Sequence, residues 1–177
     1  MPPSTIAELL LPEFDQEMTI TRTVLERVPD GEGQGEWRPH PKSFPMAHLA
    51  QLCAGMPSWV TMVLRQTEVD IAPKDRPPGS GYTIEKTATL LATFDKNVTD
   101  ARAALIGFPD EAFDVEWTMK AAGQVVSRMS RYLMLRTGVL NHLVHHRAQL
   151  GVYLRLVNEP VPSMYGPTAD TKVAPTA

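Results

Sequence analysis

The sequence predicts an all-α protein, a four-helix bundle with long connections. Three observations carry that expectation. Four segments of roughly 15 to 28 residues repeat apolar side chains at three-four spacing. Two stretches rich in Pro and Gly separate them as long loops. Nothing alternates short β-branched runs with helical ones, so an α/β sheet is not expected.

The first helix is expected over residues 13–28. Phe14, Met18, Thr21, Leu25 and Val28 share one face, while Glu17, Arg22 and Glu26 point elsewhere. Pro29-Asp30-Gly31 ends it, and "DGEGQGEWRPHPKS" reads as a loop. A second helix starts near Ser43 or Pro45, because serine suits an N-cap and proline a first turn. It continues to about residue 66, with Pro57 predicting a kink or a locally broken turn over residues 53–57.

"EVDIAPKDRPPGSGYT" is the second long loop. The third helix is expected over residues 84–106, capped by Thr83, with Leu90, Leu91, Phe94, Val98, Ala101 and Leu105 as its stripe. Gly107-Phe108-Pro109 stops it. "EAFDVEWTMKAAGQVVS" suits a short strand pair or an irregular crossover, and the sequence does not choose. The last helix spans residues 130–157 and ends before Asn158-Glu159-Pro160. Residues 1–160 thus form one domain, and the Pro/Ala/Thr-rich tail, 161–177, is expected to be extended or partly disordered.

Composition narrows the function. At 177 residues the chain can bury a full core without disulfides. A net charge of −3 and the lack of any Lys/Arg run give no footprint for nucleic acid. Trp37, Trp59 and Trp117 therefore read as packing anchors rather than a base-stacking platform. Cys53 is alone, which rules out an intrachain disulfide and suggests a reducing compartment. The N-terminus has no basic region of a signal peptide, and no apolar run reaches the roughly 20 residues of a membrane span. A cytoplasmic protein that does not engage a membrane is expected.

Chemistry concentrates in "VLNHLVHHRAQLGVYLRL", which holds three of the five histidines. With 100° per residue and His142 at zero, His146 falls at about 40°, Gln149 at about −20°, Tyr153 at about 20° and Leu150 at about 80°. His142 and His146 project inward, His145 lies at the edge near about −60°, and Arg147 and Arg155 lie on other faces. Histidines four residues apart on one helix can reach a single ion, but a divalent metal held tightly needs a third ligand. On the second helix His48 shares an inward stripe with Leu52, Trp59 and Val63. Either these are packed, hydrogen-bonded core histidines, or two facing helices build a metal site between them. Periodicity leaves both open. Cys53 projects about 140° from His48 and reads as a buried thiol. His40, between two prolines, reads as exposed on a loop beside the site.

The run "NHLVHHRAQLGVYLRL", followed by "PVPSMYGPTAD", resembles the DinB-like superfamily of bacterial helical bundles, and "WRPHPKSFPMAHLAQL" resembles its second-helix region. The resemblance covers residues 14–170. It implies the superfamily's helix order, frequent homodimers, and a metal site of one histidine from the second helix and two from the last: His48, His142 and His146. It also implies kinship with bacillithiol- and mycothiol-dependent transferases, and a possible place in stress responses. Leu140, Val144, Ala148 and Gly151, on the opposite side of the last helix, are expected to meet another helix or a second subunit.

Three imidazoles with an open position suit Zn²⁺ or Ni²⁺ better than oxygen-seeking Mg²⁺ or Ca²⁺. Such an ion can hold the thiolate of a low-molecular-weight thiol for transfer to a small electrophile. It can equally acidify a water for hydrolysis, or serve a non-catalytic metal-binding protein. Tyr153, His145 and Gln149 are the residues expected to act from beside the ligands, on a small-molecule substrate.

Overall fold

Thr5 opens the first helix, α1 (Ile6–Leu25), with a capping box. Its hydroxyl accepts the Glu8 N–H at 3.2 Å, and the Glu8 carboxylate accepts the Thr5 N–H at 2.9 Å. The structure, a computed structural model, describes residues 4–75 and 86–171. Helix α1 begins well before the expected residue 13, and Pro12 lies inside it. Three consecutive leucines hide its periodicity: Leu10 is buried, whereas Leu9 is exposed.

Helix α2 (Met46–Arg65) runs continuously through Pro57, so the expected broken turn does not form. Side chains supplement its backbone ladder there: Asn97 Nδ2 donates to the Ala54 carbonyl at 3.0 Å, and Ser58 Oγ to that of Gly55 at 2.7 Å. A short strand, β1 (Glu68–Asp70), follows. Helix α3 (Thr87–Leu105) buries Leu90, Phe94, Ala101 and Leu105; the expected start and its Thr83 cap lie outside the described residues. Asp30 serves its first turn instead, accepting the Thr87 amide and hydroxyl, each at 2.6 Å.

The region left open by the sequence corrects the all-α expectation. After a single turn, α4 (Asp110–Phe113), come β2 (Glu116–Ala121) and β3 (Gln124–Ser130), which pair antiparallel. Ala122 and Gly123 form the turn with φ of 52° and 80°, the left-handed pair that a two-residue hairpin requires. The Asp70 carboxylate accepts both of their N–H groups. Strand β1 joins β2 in parallel, giving a three-stranded sheet in the order β1-β2-β3. Trp117, wholly buried, anchors the sheet to the helices.

The C-terminal helical segment is not uniform. Ser130 caps α5 (Arg131–Leu133), which passes into a π-helical stretch (Met134–Leu140) and then α6 (Asn141–Leu156). Arg131, Leu135, Val139, Leu143 and Arg147 are all buried at a spacing of four. In an α-helix that spacing drifts by about 40° per step. The wider π turns offset the drift and hold one face inward. Among the described residues, α2 packs on α3 and α6, and α1 on α3 and α6, around one core. The protein is mostly helical with one small sheet.

Residues beyond α6 return along it. Arg155 pairs with Asp170, and the flexible tip of Met164 packs over Gly151, its Cε 2.8 Å from where a Cβ would stand.

Candidate functional site

The first two turns of α6 bring three imidazoles together. Ring centroids lie 4.5 Å apart for His142 and His146, 5.1 Å for His145 and His146, and 6.4 Å for His142 and His145. His146 is buried, with Nδ1 2.9 Å from Gln149 Oε1, which leaves its Nε2 for another partner. His48 is half-buried on the first turn of α2. The Phe44 ring lies 4.3 Å from the His48 ring and 6.4 Å from that of His146, an aromatic wall between the two helices.

His142 is exposed, contrary to its inward projection. The buried arc of α6 centres on Leu143, Arg147, Leu150 and Leu154, and His142 falls at its margin. Arg147, placed by the sequence on another face, is in fact the most deeply buried charge among the described residues. His145 is exposed, as its edge position implies. Among the described residues, no set of three His, Cys, Asp or Glu side chains stands in an arrangement that could hold a metal ion.

The electrostatics nonetheless suit a ligand role. Burial lowers the pKa of His48. Burial also dominates at His146, lowering its pKa against the opposing hydrogen bond that its ring donates to Gln149 Oε1; His142, His145 and His48 depress it further. Both imidazoles are therefore neutral at pH 7, the form in which a ring nitrogen can bind a metal. Imidazole nitrogens are the donor type that divalent transition metals favour, but the ring positions do not converge on one point.

A cleft of about 250 Å³ adjoins the histidines, lined by Lys42, Ser43, Phe44, Leu49, Gln149 and Tyr153. Tyr153 is buried against the edge of Trp37, and its hydroxyl donates to the Phe44 carbonyl at 3.1 Å. His40 is exposed on the loop that forms one wall, and its Nδ1 accepts the Lys42 N–H at 3.1 Å. Cys53 lies apart in the core, where burial pushes its thiol up to about 12. Lys42, Ser43 and Phe44 carry no periodic signal; the only hint was the series of prolines around them.

No family model matches the chain, and no curated protein matches it. Solved structures do. A DinB-like protein from Bacillus cereus aligns with a TM-score of 0.63 at 19% identity, over 91% of this chain and 98% of its own. A DinB-like protein from Bacillus subtilis aligns with a TM-score of 0.63 at 16% identity, over 88% of this chain and 96% of its own. The chain has the fold of DinB-like proteins, as the histidine-rich run implied. Among the described residues, no helix is long and apolar enough to cross a membrane.

Proposed function

We propose that this is a metal-dependent enzyme of the cytoplasm, with His48, His142 and His146 as the ligands of a divalent transition metal, Zn²⁺ or Ni²⁺. Its reaction is transfer of a low-molecular-weight thiol to a small electrophile, in a four-helix-bundle scaffold of DinB-like topology. One observation carries the reading: His146 is buried and neutral, fixed through Nδ1 by Gln149, and surrounded by the other histidines. A bound ion would supply Lewis acidity to a thiol sulfur beside the cleft. Gln149 orients His146, while Tyr153 holds the Phe44 backbone at the cleft wall. Gathering His48 and His142 onto the ion requires side-chain rotation, which the exposure of His142 permits.

Elemental analysis of the purified protein tests the site. About one metal ion per chain, lost in His142→Ala, supports it. Equal and negligible metal in both proteins leaves packed histidines as the answer. A panel of thiols and electrophiles then tests the reaction. Turnover of activated esters without any thiol would favour the hydrolase reading, and stoichiometric metal with no turnover of either class a non-catalytic metal-binding role, as in a stress response.

A homodimer belongs to the same reading. Ala148, Val152 and Leu156 form an exposed stripe on α6, and Val152→Lys should turn a dimer into a monomer on a sizing column.

A further inference from the structure

The cleft beside the histidines is lined by hydrogen-bond donors and apolar surface, with no carboxylate. We infer that it binds a small organic anion, a carboxylate or a phosphate ester, through Lys42, Ser43 and Gln149, with a short apolar body against Phe44, Leu49 and Tyr153. Each donor is available by the geometry. Lys42 has no salt-bridge partner among the described residues. Gln149 engages His146 through its oxygen, which leaves its NH₂ group to donate into the cleft. That bond also ties the anion site to the proposed reactive centre.

The loop carrying Lys42 and Ser43 is held in place before any ligand arrives. The Ser43 N–H donates to the His40 carbonyl at 2.8 Å, and the Met46 N–H to that of Trp37 at 2.9 Å. His40 Nδ1 accepts the Lys42 amide, and Tyr153 holds the Phe44 carbonyl. Such fixing lowers the ordering cost of binding. At about 250 Å³ the cleft is smaller than the pockets of drug-sized ligands, so it suits a short-chain molecule. The inference rests on the metal reading only where it names this anion as the substrate class; binding to the cleft needs no ion.

The test titrates the full chain with hexanoate, hexyl phosphate, hexanol and hexylamine, following the Trp37 indole and Gln149 side-chain signals by NMR. Trp37 reports on the cleft because it packs edge-on against Tyr153, ring centroids 5.4 Å apart. Saturation by either anion supports the inference, and the tighter of the two identifies the headgroup. Lys42→Ala should weaken that anion about three- to fivefold and leave hexanol unchanged, whereas His142→Ala should leave the anion unchanged. Hexanol or hexylamine binding as tightly, an unaltered affinity in Lys42→Ala, or no saturation by either anion would overturn it. Loss in His142→Ala with binding intact in Lys42→Ala would place the anion on the ion and overturn it equally, whatever the fate of the metal site.

Discussion

The Arg147 guanidinium meets the Glu17 carboxylate at 2.6 Å with both side chains buried, joining α6 to α1. Arg147 also donates to the Glu17 carbonyl and the Thr21 hydroxyl, while the Tyr165 hydroxyl donates to the same carboxylate from the returning C-terminal segment. Among the described residues, its Nε alone has no partner. Removing one member strands the other charge in the core, whereas removing both does not. Arg147→Met should therefore cost about 3–5 kcal/mol in urea unfolding, and Glu17→Leu combined with Arg147→Met should recover most of that loss. A single variant that loses less than about 1 kcal/mol would show that the pair is not structural.

Cys53 should be chemically silent while the protein is folded. Its thiol is fully buried, and with a pKa pushed up to about 12 it is almost entirely protonated at pH 8. A chromogenic disulfide reagent should then react only as fast as the chain opens, and at once in urea. Immediate labelling of the native protein would contradict the burial.

Asp30 should make the start of α3 sensitive to acid. Its hydrogen bonds from the Thr87 side chain and backbone hold the carboxyl below the usual carboxylate range. A folded-state pKa below the unfolded one contributes stability above the unfolded value, which is lost as pH falls through the folded value. Asp30→Ala should cost at most about 1 kcal/mol at pH 7, because the carboxylate is exposed, and the difference from wild type should shrink as pH falls below the usual carboxylate range. A gap that persists at low pH would assign the loss to something other than the ionised cap.

The helices were legible because Phe14, Met18 and Leu25, or Leu90, Phe94, Ala101 and Leu105, repeat at helical spacing and are buried accordingly. The sheet was not: Trp117 is the only wholly buried side chain of its strand, and β1 lies far away in the chain. On α6 the sequence placed the inward face too close to His142, because Arg147, read as lying on another face, is one of the residues at the centre of the buried arc. That substitution of a buried ion pair for an apolar contact leaves no trace in a hydrophobic pattern. Gln149 was legible as a neighbour of the histidines, but its bond to His146 depends on rotamers that spacing does not define. Phe44 and Lys42 reach the cleft through loop geometry alone.

Gln149 provides the sharpest test of the histidine site. Its Oε1 lies 2.9 Å from His146 Nδ1, where an acceptor fixes the ring and keeps Nε2 unprotonated for a metal. Gln149→Leu removes the acceptor with little change of volume, and should weaken metal affinity about 10- to 100-fold in competition with a chromogenic chelator. Gln149→Glu retains an oxygen acceptor and should restore most of the affinity, which a mere packing role would not. Thermal melts of both variants separate a damaged fold from a misdirected ligand. If Gln149→Leu binds metal as the parent protein does, the bond to His146 serves the cleft and not the ion.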